Sequence, residues 1–291
     1  MSNNYSIKDL EHLSGIKAHT IRIWEQRYRL FNPQRTDTNI RYYTDRDLKL
    51  LLNVSLLKDH GFKISKIADM PYEAIVKEVA DLSDRFGDDE QIAALTIAMI
   101  DMDEVKFEKI MANNILKRGF ENTIIKVIYP FLHRIGVLWM TGSIVPAQEH
   151  FISNLIRQKI VTAIDGQFGN IDPKVGKFIL FLPPGELHEI SLLFADYMIR
   201  SHGGRSVYLG QSVPLDDMVP VCEIHQPDYI FTIATSAMPQ EDIQMMLDGL
   251  SQIAPETTVL VTGYQILNAD FNLPSNVRIV KDFGDLKTYL V

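Results

Sequence analysis

From residue 177 onward the chain alternates short apolar runs with helical stretches, and this rhythm restricts its fold more than any other feature. The runs fall at 177–182, 205–210, 228–234, 257–262 and 276–280, and the helical stretches at 186–202, 214–225, 239–254 and 284–290. Short apolar runs rich in β-branched and aromatic residues suit strands covered on both faces. Strands that alternate with helices of this length build βαβ units and a parallel sheet. The expectation is one flavodoxin-like or Rossmann-like domain. Such sheets bind ligands beyond the carboxyl ends of their strands. That places weight on Glu186-Leu187-His188, just past Phe178-Ile179-Leu180-Phe181-Leu182.

The preceding part has a different period. Residues 73–84, 90–101, 103–117, 121–139 and 146–165 read as helices, with breaks at 85–89, Pro130, 141–142 and Pro146. This is the pattern of a helix bundle. Residues 166–176 are polar and contain glycine, as a linker does. At the start, Ser6 is placed to cap a helix bearing Ile7, Leu10 and Leu13, and Ser14-Gly15 makes a turn. A second helix at 17–28 has Ile21 and Trp24 as its apolar seam, so the pair forms a helix-turn-helix candidate. Residues 31–43 read as a two-strand wing with its tip near 37–39. Thr44-Asp45-Arg46-Asp47 caps a third helix running to His60, Gly61 ends it, and 64–70 forms a short fourth. The expected fold class is multidomain, α and α/β: a winged helix-turn-helix head at 1–72, a helix bundle at 73–168 and a parallel-sheet domain at 169–291.

Charge separates the head from the rest. The whole chain has a formal net charge of −8, yet residues 1–72 hold 12 Lys and Arg against 8 Asp and Glu. The remainder holds 17 against 29. A basic head on an acidic body is the asymmetry expected when one small domain meets a polyanion. The single Cys222 excludes an internal disulfide and a cysteine-based zinc cluster. No apolar run approaches the ~18–20 residues that span a bilayer. The opening residues lack the basic-then-apolar layout of a signal peptide, so a cytoplasmic protein is expected.

Tyr5-Ser6-Ile7-Lys8-Asp9-Leu10, then Ile21-Arg22-Ile23-Trp24-Glu25-Gln26-Arg27-Tyr28, then Arg41-Tyr42-Tyr43-Thr44-Asp45-Arg46-Asp47-Leu48 follow in the order helix-turn-helix, wing, helix. In this combination the head resembles the MerR family of transcription regulators. The second helix would enter the major groove, where base edges are distinguishable, with Lys17, His19, Thr20 and Arg22 near its N-terminal end. Arg35, Arg41 and Tyr42 in the wing suit phosphate or minor-groove contacts, which position more than they specify. Any single one of these cations is as readily solvated surface. Trp24, Tyr43, Leu48 and Leu51 fit the core better than the interface.

Trp139, with Glu149-His150 following ten residues later, resembles the Trp-x9-Glu-His signature of the capping bundle in adenosylcobalamin-dependent, photoreceptor-like MerR-type regulators. That resemblance implies that Trp139 covers the upper axial face of the cofactor while Glu149 and His150 hydrogen-bond to it. Pro184-Gly185-Glu186-Leu187-His188-Glu189-Ile190-Ser191 resembles the (Asp/Glu)-x-His-x-x-Gly loop of cobalamin-binding domains. It implies His188 as the lower cobalt ligand, with Glu186 in the same polar network. A neutral imidazole is a good cobalt ligand, and a neighbouring carboxylate sets its tautomer and basicity; spacing alone leaves open whether Glu186 is that carboxylate. Ser236 and Gly263 correspond to positions lining the tunnel for the nucleotide tail.

Three positions depart from the pattern. Ser191 replaces the loop's Gly, Tyr264 replaces a second Gly after Gly263, and Met140 stands where light-sensing members carry a His. The expected function is a cobalamin-responsive transcription regulator that is not an enzyme. Its cofactor, adenosylcobalamin, would control homo-oligomerisation and operator binding, with double-stranded DNA, its own copies and RNA polymerase as partners. Two alternatives stay open: a regulator whose C-terminal module has lost the cofactor and serves as an oligomerisation scaffold, and a corrinoid carrier of a methyltransferase system.

Overall fold

A computed structural model of the chain describes residues 5–36, 39–82, 87–140, 144–169 and 171–291; the side chains of residues 80 and 137–140 lie outside that description. The chain divides into two compact units, Met1–Leu155 and Ile156–Val291.

Two capping boxes frame the head of the first unit. Helix α1 (Ile7–Ser14) starts at Ser6, whose hydroxyl accepts the Asp9 amide while the Asp9 carboxylate accepts the Ser6 amide. This reciprocal pair satisfies two donors that a helix start otherwise leaves open. Gly15, at φ 70°, makes the tight turn into α2 (Ala18–Tyr28), which buries Ile21 and Trp24. Strands β1 (Gln34–Arg35) and β2 (Arg41–Tyr42) pair antiparallel as the wing. The expected wing tip includes residues 37 and 38, which lie outside the described residues; Asn39 beside them adopts φ 65°. Asn tolerates that conformation better than most residues. Thr44 and Asp47 repeat the capping box at α3 (Asp45–Asp59), and α4 (Ile64–Ala68) follows.

Helices α5 (Tyr72–Leu82), α6 (Asp88–Asp101) and α7 (Glu104–Arg118) come next. Every residue of α6 from Gln91 to Ile100 is buried, so this helix is the centre of the bundle. The single helix expected at 121–139 is instead α8 (Phe120–Thr123), a π-helical turn at Ile124–Ile128 and α9 (Tyr129–Met140). Pro130 accounts for the difference. It has no N–H, and its ring crowds the carbonyl four residues earlier. The widened turn, in which the Tyr129 amide donates to the Ile124 carbonyl, accommodates both effects. Head and bundle share this unit through direct contacts: Arg134 donates to the Leu13 carbonyl at 3.1 Å, and Lys49 pairs with Asp101 at 2.5 Å. Helix α10 (Pro146–Asp165) contains the boundary between the two units.

The second unit holds five parallel strands: β3 (Lys177–Phe181), β4 (Arg205–Gly210), β5 (Tyr229–Ile233), β6 (Thr258–Thr262) and β7 (Val277–Ile279). Their order is β4-β3-β5-β6-β7, the flavodoxin-like arrangement. Helices α11 (Ile190–Ser201), α12 (Met218–His225), α13 (Gln240–Ile253), α14 (Tyr264–Leu267) and α15 (Phe283–Lys287) complete it. Ile179, Phe181, Ile230, Val259 and Val261 from the strands pack with Ile243, Leu247 and Leu250 of α13. The helix expected at 186–202 begins only at Ile190. Residues 183–189 form a loop in which Gly185 takes φ 80°. Helix α14, only four residues long, has no visible period in the sequence.

Candidate functional site

Strand order reverses between β3 and β5, so the loops that leave their carboxyl ends diverge there and open a crevice. Glu186 and His188 stand on the first of these loops, Thr235 and Ser236 on the second. Glu186 joins them. Its side chain is fully buried, and Oε2 accepts the amides of Thr235 at 2.7 Å and Ser236 at 2.6 Å. Oε1 accepts the His188 amide at 3.0 Å and the Ser236 hydroxyl at 2.9 Å, and lies 2.6 Å from His188 Nδ1. Burial alone would raise the acid's pKa. The hydrogen bonds from the His188 ring and from the amides of Ser236, His188 and Thr235 outweigh it and hold the carboxyl far below the usual carboxylate range. Glu186 is a carboxylate at every pH near neutrality.

The imidazole at the other end is two-thirds exposed. A buried carboxylate facing Nδ1 stabilises the tautomer protonated there, which directs the Nε2 lone pair outward as a metal donor. The acceptor that the sequence left open is therefore Glu186. Among the described residues no three His, Cys, Asp or Glu side chains converge to hold an ion. One oriented imidazole suits a metal that arrives already held by a macrocycle, and in this respect the donor set fits a corrinoid.

Neighbouring groups fix the loop. Gln211 donates to the Leu187 carbonyl at 2.6 Å, and the Gly185 amide donates to the Ser212 hydroxyl at 3.1 Å. Glu189 receives Arg157 Nε of α10 at 2.5 Å and the Tyr208 hydroxyl at 3.2 Å. Gly263 adopts φ 110°, and a Cβ there would stand 2.4 Å from the Ala234 carbonyl oxygen. Only glycine allows β6 to end this close to the exit of β5. Tyr264, the departure next to it, is 66% exposed and so does not fill the protein interior.

In the first unit, Glu149 and His150 lie on the first turns of α10. Glu149 Oε2 is 2.8 Å from His150 Nδ1, and Oε1 accepts the Ser153 hydroxyl. The His150 side chain is 68% exposed. Trp139 belongs to α9, with its side chain outside the described residues.

In the head, Lys17 is the N-cap of α2 and pairs with Glu11 at 3.1 Å. Glu11 also accepts the Ala18 amide, and this bond, with Lys17, lowers its pKa. His19 and Arg22 are exposed on α2, and Thr20 is half-buried. Arg35 is exposed and donates to the Asn39 side chain at 2.7 Å. Tyr42 is half-buried, whereas Arg41 pairs with Glu25 of α2 at 3.2 Å. Tyr43 donates to the same carboxylate at 3.0 Å; burial and this neighbouring charge push its phenol up to about 12. Glu25 thus ties the wing to α2, a role invisible in the sequence because Glu25 looks like one more solvated helix charge. The structure also groups Arg29 and Arg46 with Asn32 and Gln34 around a polar cleft of about 350 Å3, which the sequence reading did not single out.

Residues 5–72 match the family model described as MerR HTH family regulatory protein, and residues 91–162 match the one described as B12 binding domain. The chain therefore carries, in order, a stretch similar to MerR-type heads and a stretch similar to B12-binding domains. It is 28% identical over 266 residues to the HTH-type transcriptional repressor CarH of Myxococcus xanthus, covering 86% of this chain and 85% of that protein. The repressor CarA of the same organism is 25% identical over 260 residues, covering 87% and 85%. The fold is similar to that of the Methanosarcina barkeri monomethylamine corrinoid protein. That likeness has a TM-score of 0.56 and 15% identity, and spans 70% of this chain and 99% of the other. Among the described residues, no helix is long and apolar enough to cross a membrane.

Proposed function

We propose that this MerR-type protein is a cobalamin-responsive transcriptional regulator, with adenosylcobalamin as its cofactor and without catalytic activity of its own. The observation that carries this reading is the buried Glu186 holding the exposed His188 at the switch point of the sheet. His188 would ligate cobalt through Nε2, and Ser236 and Gly263 would border the nucleotide tail. Trp139, Glu149 and His150 would attend the adenosyl side. When bound, the cofactor supplies a cobalt–carbon bond and a large rigid surface. The protein's own residues bind and orient it, keep the proton of His188 on Nδ1, and translate occupancy into shape.

In this reading residues 1–72 read DNA, 73–168 cap the cofactor and 169–291 hold it. Arg22, His19, Thr20 and Lys17 would face the major groove, while Arg35, Arg41, Tyr42, Arg29 and Arg46 would meet phosphates. Two half-sites require at least two heads, so a homodimer or larger assembly binds the operator, where it competes with or recruits RNA polymerase. Cofactor that binds one oligomeric form more tightly shifts the population toward it, and operator affinity follows by linkage. The contacts Arg134 to Leu13 and Lys49 to Asp101 join the bundle to the head within one unit, a short mechanical route for that shift.

The resemblance to repressors favours repression over corrinoid methyl transfer, because a methyl carrier has no use for a basic head. The test is size-exclusion chromatography and operator retardation of the full-length protein, with and without adenosylcobalamin, in the dark and after illumination. Cofactor-dependent assembly and DNA retention support the reading; identical behaviour in all conditions supports a scaffold that no longer takes cofactor.

A further inference from the structure

A cavity of about 360 Å3 lies inside the first unit, between α3 of the head and helices α5, α6 and α7. None of its lining residues is named above as a contact of the cofactor or of DNA. Its walls are apolar, formed by Leu56, Val76, Val79, Ile97, Val105 and Ile110. Asp101, Lys106 and Lys109 also line it, and Asp101 already pairs with Lys49.

The informative residue is Asn53. It is 3% exposed, lines the cavity, and its carboxamide makes no hydrogen bond to any described residue. Gln91, 4% exposed, also lines the cavity and accepts the Asn114 side-chain amide at 3.0 Å. An amide carries two donors and an acceptor, and those of Asn53 are left for a molecule in the cavity it lines. The volume falls in the roughly 300–1,000 Å3 range of small-molecule pockets, which combine apolar walls with a few placed polar groups.

We propose that this cavity is a second ligand site, taking a compact uncharged molecule with an apolar body and one amide- or hydroxyl-type group that seats on Asn53. Uncharged follows from the lining, where Asp101 and Asp103 offset Lys106 and Lys109. The site does not depend on cobalamin binding. Its occupant touches α3 of the head and the central helix α6, so it is placed to influence DNA binding as a separate input.

The test uses full-length protein loaded with adenosylcobalamin, so that probe cannot enter the cofactor site. N-phenyl-1-naphthylamine is titrated by fluorescence and then displaced with octanamide. The expected result is one saturable site per chain that octanamide empties. Ala94→Trp, which fills the cavity from α6, abolishes binding. Val105→Trp at the mouth, where Val105 is 79% exposed and a larger side chain leaves the fold intact, weakens it at least tenfold. Asn53→Leu weakens octanamide about fivefold to tenfold, the effect of one neutral hydrogen bond, while leaving the naphthylamine unchanged. Circular dichroism checks folding, and Val105→Trp decides the matter if Ala94→Trp does not fold. No saturable binding, unchanged binding in the Trp variants, or an unaltered octanamide affinity in Asn53→Leu overturns the proposal.

Discussion

Glu186 Oε1 stands 2.6 Å from Nδ1 of His188, with the acid fully buried and the imidazole two-thirds exposed. The two residues divide one task. The carboxylate is anchored by the amides of Thr235 and Ser236 on the neighbouring strand exit, and the ring it holds projects from that anchor. Glu186→Ala leaves those buried donors without an acceptor and is expected to lower stability by about 3 kcal/mol, as removal of one member of a buried charged network does. Glu186→Gln retains an acceptor oxygen and is expected to lose less. Urea unfolding of both variants at pH 7 measures the difference.

The same carboxylate fixes an acid limb. Its pKa in the folded protein lies well below the ordinary glutamate value of 4.5, so its contribution to stability is present above about pH 4.5 and is lost as the pH falls toward the folded value. Stability measured by urea at pH 7 and 5 should show no change from this group, with loss setting in below pH 4.5. Glu186→Gln should flatten that acid limb. An equally steep limb in the variant would assign it to other carboxylates.

Gly263 gives a steric prediction. A methyl group there would meet the Ala234 carbonyl at 2.4 Å with φ at 110°. Gly263→Ala is expected to cost about 3 kcal/mol through backbone strain and displacement of the β5 exit, which carries Thr235 and Ser236. Thermal unfolding reads the cost. Cofactor retention should fall in the same variant, because Ser236 loses its place on Glu186.

The head separates positioning from reading. Arg29 and Arg46, around the polar cleft beside the wing, are expected to act on phosphates; Arg46→Ala should weaken binding to all sequences alike and lower the salt slope of log K by about one. Arg22→Ala, on the exposed face of α2, should relax sequence preference. Fluorescence anisotropy with an operator selected from random DNA, over a salt series, tells the two behaviours apart.

Tyr43 tests the link between wing and α2. Its phenol is raised to about 12 by burial and Glu25, so the folded state holds this proton more tightly than the unfolded chain does. Stability from this group is intact below pH 10 and declines between about pH 10 and 12. Tyr43→Phe should lose about 1 kcal/mol at pH 7, the worth of one hydrogen bond, and show no decline from this source in alkali.

The architecture was legible because periodicity reports which faces are covered. All five strands of the sheet appear within one residue of the expected ends, and the capping boxes at Ser6 and Thr44 announce α1 and α3. Pro130 was visible as a break, but a π-turn needs knowledge of which carbonyl it crowds. The late start of α11 was not legible, since Leu187, Glu189 and Ile190 continue a helical pattern that the Glu186 network interrupts. Within the site, spacing named Glu186, His188 and Ser236 through a resemblance; only three dimensions show the buried Glu186 carboxylate binding the other two together. Glu25 and Asn53 were invisible for the opposite reason. Each is an ordinary helix residue until burial and partners are known.

The most direct measurement is the absorbance of the full-length protein after incubation with adenosylcobalamin in the dark and gel filtration, for wild type and His188→Ala. Wild type should co-elute with cobalamin whose spectrum reports an imidazole nitrogen on cobalt, and His188→Ala should lose that signature and retain at least tenfold less cofactor. Wild-type protein that elutes without corrinoid absorbance, or a His188→Ala variant with the wild-type spectrum, would contradict the assignment of His188 as the cobalt ligand.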